Sequence, residues 1–164
     1  MALLKNGKLI EDAYTDCTDL ETIPPAGAVL VSVEQWQQHR DALVSRQEAL
    51  GILLKSDEKP ELIADDLAHF DLVALEFPAF GDGRAYSYAR LLRDRYGYSG
   101  ELRAVGDVLL EQLHFMHRVG FDAFAVNSDD AVAAWETALT DLSVWYQPTG
   151  DGRASVVELR HEAD

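Results

Sequence analysis

The sequence predicts an α/β fold: a three-layer domain of about five mainly parallel strands in a flavodoxin-like layout, behind an N-terminal β-hairpin. Two observations carry most of this. Short apolar runs alternate with amphipathic runs of helical spacing, the pattern of βα units on a parallel sheet. Several of the apolar runs lack polar alternation, as strands covered on both faces do. The alternative is half of a (β/α)8 barrel, which would expose one face of its sheet and need a partner subunit, as in a homodimer, to cover it.

The elements follow in order. Leu3 to Ile10 reads LLKNGKLI, with Asn6-Gly7 between two apolar arms, the strongest short-range signal for a hairpin. Asp16 to Gly27 carries Pro24-Pro25 and turn formers without periodicity, and reads as a connector. Five strands are then expected at VLVSV (29–33), LGILL (50–54), LVALEF (72–77), LRAVG (102–106) and DAFAV (122–126). The helices expected between and after them are EQWQQHRDALVSR, PELIADDLAHF with Pro60 suited to its first position, GRAYSYARLLRDRYG, VLLEQLHFMHRVG and DDAVAAWETALTDLSVWY. Pro148 to Gly152 breaks the pattern, and SVVELR at Ser155 to Arg160 reads as a C-terminal strand.

The organisation is therefore one domain over residues 1–164: hairpin and connector in 1–27, βα core in 28–147, C-terminal strand and tail in 148–164. An internal echo sets His69-Phe70-Asp71-Leu72 against Gly120-Phe121-Asp122-Ala123. It is either a duplicated βα unit or the shared grammar of helix-to-strand turns, and the grammar is favoured because such loops reuse few residue types.

Composition narrows the function. With 164 residues, 48% hydrophobic and 26% charged, the chain can bury its own core as an ordinary soluble globule. No apolar run approaches a membrane span, and Lys5 interrupts the N-terminus too early for a signal peptide, so the expected location is cytoplasmic. Cys17 is the only cysteine, which excludes an intramolecular disulfide, a zinc ribbon, a cysteine-ligated iron–sulfur cluster and a CxxC dithiol within one chain. The net charge of −15 repels nucleic-acid phosphate and anionic lipid, so neither is an expected partner. It serves solubility first, and it can also steer a basic partner protein into contact.

The candidate site lies at the carboxyl ends of the expected strands, where parallel α/β sheets bind ligands. Glu76 ends an otherwise apolar run. It is a candidate general base or ligand carboxylate, or else an ion-pair partner of Arg84 or Arg103. In the turn that follows, Gly81, Asp82, Gly83 and Arg84 could converge backbone N–H groups and a guanidinium on a small oxyanion or phosphate. The plainer reading makes Asp82 an N-cap and leaves Arg84 solvated or paired with Glu76. Tyr86 and Ser87 are weaker candidates in the first helical turn, since Ala85, Tyr88, Ala89, Leu92 and Tyr96 claim its packing face. Asp107 is most simply an N-cap, with a catalytic role as the alternative. The catalytic candidates are thus Glu76, Asp82 and Asp107; the anion-binding set is Gly81, Asp82, Gly83, Arg84, Tyr86, Ser87 and Arg103. His114 and His117 have a spacing that could share a metal, but no third ligand is near in sequence and no metal is expected. The turn is neither GxGxxG nor a Walker loop, so no nucleotide follows from it.

The run Leu75-Glu76-Phe77-Pro78 with Gly81-Asp82-Gly83-Arg84, Tyr86-Ser87 and Ala89-Arg90-Leu91-Leu92, then Gly100 to Val108 (GELRAVGDV) and Gly120-Phe121-Asp122-Ala123-Phe124, resembles a bacterial family of unknown function. Genes of that family often accompany assimilatory sulfite reductase, and members are sometimes labelled probable oxidoreductases of sulfite reduction. The resemblance covers about Leu50 to Val126 and implies a context of sulfate assimilation, with sulfite reductase or its electron donor as a partner. It supplies no catalytic residue. Against the oxidoreductase label, the chain has one cysteine and no dinucleotide fingerprint; a flavin held without a motif stays open, and the cofactor is unknown. The expectation is an accessory protein that docks through its acidic surface and holds a sulfur oxyanion or a cofactor phosphate at the Gly81 to Arg84 turn. The alternative is a small oxidoreductase or other enzyme with its site at the Glu76, Asp82 and Arg84 edge.

Overall fold

A computed structural model describes residues 2–128, 130–140 and 144–162. β1 (Ala2–Lys5) and β2 (Lys8–Ile10) form the hairpin. Asn6 (φ 49°) and Gly7 (φ 77°) both take the left-handed region, the geometry that matches a two-residue turn to the twist of its strands. A two-residue strand, β3 (Thr15–Asp16), pairs where the sequence showed only a connector. The five apolar runs form β4 (Val29–Ser32), β5 (Leu50–Leu54), β6 (Leu72–Phe77), β7 (Glu101–Gly106) and β8 (Ala123–Val126).

Four of the expected helices form α1 (Val33–Val44), α2 (Arg84–Arg90), α3 (Leu113–Arg118) and α4 (Ala131–Thr140). Ser32 and Gln35 close a capping box on α1. α2 continues into a π-helical turn over Leu91–Arg95. The stretch 141–143 of the last expected helix lies outside the described residues. PELIADDLAHF makes two 3-10 turns, Pro60–Leu62 and Ala64–His69, rather than a regular helix. Asp66 there accepts the Trp36 indole N–H at 2.9 Å and pairs with Arg40, tying the crossover to α1.

SVVELR is not a strand: α5 runs over Val156–Glu162. Ser155 and Glu158 bond each other's backbone N–H, a capping box that outweighs the β-preference of two adjacent valines.

The sheet has eight strands in the order β2-β1-β8-β7-β6-β5-β4-β3, not five in a flavodoxin-like arrangement. From β3 to β8 neighbours are parallel and follow chain order, while β1 is antiparallel to β8 and β2. Right-handed crossovers that always step the same way place the helices linking the parallel strands on one face. The core agrees: Val31, Ile52, Leu75, Phe77, Leu102 and Phe124 pack with Trp36, Leu92, Leu113, Met116 and Trp135 on the helical face. The opposite face carries a smaller cluster of Leu30, Leu72 and Ala74 with Tyr14, Leu53 and Val105, to which no helix among the described residues contributes. Three layers thus give way to two, and the half-barrel alternative describes the architecture.

The curl has a chain-length cause. β2 and β3 are the two edges, joined only by residues 11–14. From Ile10 to Thr15 the chain reaches at most about 18 Å, whereas eight flat strands would separate the edges by about 34 Å. The sheet must therefore curl through roughly half a circle, with the short segment strapped across its concave side. There Tyr14 caps the small cluster and Asp12 reaches Arg103, so Leu72, Ala74 and Ala123 are fully buried within one chain.

The internal echo corresponds to a repeated contact. Asp71 N–H donates to the Leu50 carbonyl (2.9 Å) and its carboxylate accepts the Leu50 N–H (3.2 Å). Asp122 makes the same two bonds with Leu102, both at 3.1 Å. Each aspartate enters its own strand while pinning the start of the strand before it.

Candidate functional site

The carboxyl end of β6 sets the candidate site. In strand pairing Glu76 lies opposite Val105, on the concave face with Ala74 and Arg103, while Phe77 points toward the helices. Glu76 is half-buried and accepts the Ser56 N–H at 3.4 Å. Neither Arg84 nor Arg103, its expected partners, pairs with it.

The turn after Phe77 is organised around Asp82. Its Oδ1 accepts the Arg84 backbone N–H (3.2 Å) and Nε (3.0 Å), and its Oδ2 accepts Nη2 (2.6 Å). The Arg84 guanidinium, and next the Arg84 N–H, hold the Asp82 carboxyl well below the usual carboxylate range. Gly83, not Asp82, is the N-cap of α2, and it gives no side-chain cap. The place expected for an external anion, between this N–H and this guanidinium, is taken by the chain's own carboxylate.

Arg84 Nη2 also donates to Ser56 Oγ (2.9 Å), and the Tyr88 hydroxyl donates to the Ser56 carbonyl (3.1 Å). Ser56 therefore links Glu76, Arg84 and Tyr88. The sequence reading missed it, although Ser56 follows β5 at the same edge that singled out Glu76. The Arg84 side chain is 52% exposed, and Nη1 has no hydrogen-bond partner among the described residues. That open side is where a small anion could add to the turn.

The remaining candidates separate. Tyr86 stands edge-on to Phe77 (5.2 Å), and burial pushes its phenol up. Ser87, Gly81 and Gly83 are exposed. Asp107 is exposed and is not an N-cap: the next helical turn begins at Leu110, after Leu109, whose N–H bonds Gln112. Its own N–H donates to the Phe77 carbonyl at 2.7 Å.

Arg103 is not at this turn. It lies on the concave face, 4% exposed, bonded to Glu101 (2.8 Å) and Asp12 (2.7 Å), with its guanidinium 5.4 Å from the Tyr14 ring. Lys5 adds a 2.6 Å pair with Glu101. Burial, followed by the nearby carboxylates, raises the Tyr14 phenol to about 12. His114 and His117 are turned to different carbonyls, those of Ala138 and Phe121. Among the described residues no cluster of three His, Cys, Asp or Glu is placed to hold a metal ion, and no helix is long and apolar enough to cross a membrane.

Fold and site together define a curled, singly wound α/β protein with an Asp82–Arg84 pair at its strand ends, beside Glu76 and Asp107, which have no Lys or Arg partner among the described residues. Residues 51–157, more than half of the chain, match a family described as bacterial protein of unknown function (DUF934), and the chain belongs to that family. No curated protein matches the chain.

Proposed function

We propose that this protein is an accessory factor of assimilatory sulfite reduction that docks onto a protein partner, the sulfite reductase or its electron donor, and holds a small anion or cofactor phosphate at the open side of Arg84. The pathway rests on the motif resemblance between Leu75 and Phe124. What favours docking over catalysis is the pairing at the strand ends. Asp82 is committed to Arg84, Arg84 to Ser56, and Asp107 stands apart, so acid, base and anion clamp do not converge on one reacting atom. The net charge of −15 supports association with a basic surface.

Deleting the gene tests the reading. Growth should slow with sulfate as sole sulfur source and stay normal with cysteine; unimpaired growth on sulfate rejects it. One observation favours the second reading, a small oxidoreductase or other enzyme: Glu76 is a half-buried carboxylate with no Lys or Arg partner among the described residues. The absorbance spectrum and intact mass of the purified protein separate the two, because a bound flavin or organic ligand supports the enzyme.

A further inference from the structure

We infer that the cleft between residues 18–25 and α1 is a docking site for an extended, lysine- or arginine-bearing segment of a partner protein. Two open cavities of about 700 and 250 Å³ share Glu21, Ile23 and His39, and together they run along α1. The irregular segment is pinned to the helix at both ends, so the cleft is preformed. Gln35 Nε2 donates to the Cys17 and Leu20 carbonyls (2.7 and 2.8 Å), and the Arg46 guanidinium donates to those of Pro24 and Gly27 (2.6 and 2.7 Å). A groove already held open leaves little of the ordering cost of binding on this side.

The charge that selects the occupant is local. Asp19, Glu21, Glu34 and Glu48 line the cleft, all exposed, and none has a Lys or Arg partner among the described residues. Arg46 is the one Lys or Arg in the lining. Its Nη groups are occupied by the two carbonyls, and its Nε is buried without an acceptor, so it presents no free donor to an occupant. Arg40, the only other lysine or arginine between Glu11 and Leu54, is bonded to Asp66. Four carboxylates against one guanidinium give this concave surface a negative potential of its own.

The floor and the free polar groups select the rest. Ile23, Pro25 and Leu43 give the larger cavity an apolar floor, and Leu20, 47% exposed, borders the smaller one. The Thr22 hydroxyl and the Gln47 amide line the cleft without a hydrogen-bond partner among the described residues. An extended backbone has free N–H and C=O groups to meet them, whereas a helix satisfies its own. α1 spans about 18 Å, the length of five or six extended residues. Strand alternation then sends apolar side chains to the floor, while long cationic ones reach the exposed carboxylates. The inference rests on the docking reading only in requiring a protein partner, whatever its pathway.

The test titrates the full chain, by calorimetry at low salt, with a synthetic peptide of roughly eight residues in which lysine and leucine alternate, enough to span the cleft. Saturable binding is expected. It should be at least about tenfold weaker for a peptide with serine in place of leucine, and for Glu21→Lys, whose carboxylate belongs to both cavities. Glu21→Gln should fall between, and it carries the test if the lysine variant does not fold. Glu136→Lys changes the net charge equally from an exposed place on α4, at the other end of the sheet, and should leave the affinity within about twofold. Equal weakening by Glu21→Lys and Glu136→Lys overturns the cleft, since net charge alone would then be at work. Equal binding of the serine peptide overturns it too, as does no saturable binding at millimolar peptide. So does a dimer in light scattering that Glu21→Lys dissolves, because a second copy would then be the occupant. Failure here with a sulfate-growth defect intact removes the cleft alone; binding without that defect removes the pathway alone.

Discussion

Two arginines that look alike in the sequence do different work. Arg84 is half exposed and paired with Asp82, so Arg84→Ala should cost little in chemical denaturation, as the loss of a surface pair does. Arg103 is 4% exposed, and its loss leaves Glu101 buried and short of a partner. Arg103→Ala should cost clearly more, up to about 3–5 kcal/mol, the limit for an uncompensated buried charge that the Lys5 pair with Glu101 tempers. Equal effects would contradict the placement of both residues. Acid should act through the paired carboxylates. The folded-state values of Asp66, bonded to Arg40, of Asp82, bonded to Arg84, and of Asp151, where burial is outweighed only by the hydrogen bonds of Arg118, Arg153 and Thr149 together, all lie below the ordinary one. Each contributes stability that is complete above the ordinary value and lost as pH falls through the depressed one. Asp122, raised by burial, has the opposite sign. Glu158, held down by its hydrogen bonds with Ser155, sides with the lowered group; with four against one, the thermal midpoint should fall below about pH 4, and a midpoint flat to pH 2.5 would contradict this.

At the scale of elements, strands were legible and their neighbours were not. Apolar runs such as LGILL and LVALEF mark strands locally, and the structure keeps those two with the same bounds. Strand order is not local: a flavodoxin-like order and a sequential one share the same βα alternation, and they differ only in which way each crossover steps. The site was legible in part for the same reason. The turn from Phe80 to Arg84 could be found from its glycines, but the Arg84 bond to Ser56 spans 28 residues and the Asp12 bond to Arg103 spans 91, beyond any pattern of spacing. The C-terminal helix was legible and overlooked, since Ser155 and Glu158 are three apart. Ser155→Ala should therefore destabilise α5 by about 1 kcal/mol, the value of a lost cap, read as faster amide exchange in Val156–Glu162 with the sheet unaffected. Unchanged exchange would reject the cap.

For the whole molecule, the strap at residues 11–14 turns an open sheet into a curled one with an occupied concave side. An open half-barrel would call for a second subunit. Here Tyr14 and the Asp12–Arg103–Glu101–Lys5 chain of charges cover much of that face from within one chain. Replacing Tyr14 by Ala should expose apolar surface on the concave face and raise binding of a hydrophobic dye, with a loss of about 1–3 kcal/mol for a half-buried aromatic. Unchanged dye binding would show that the strap covers little. With that face occupied, the docking we propose falls to the acidic outer surface. Calorimetric titration of the purified chain into purified assimilatory sulfite reductase tests this most directly. The account predicts saturable binding that weakens steeply as salt screens the −15 charge; no heat of binding to the reductase or to its electron donor, at low salt and tens of micromolar protein, would contradict it.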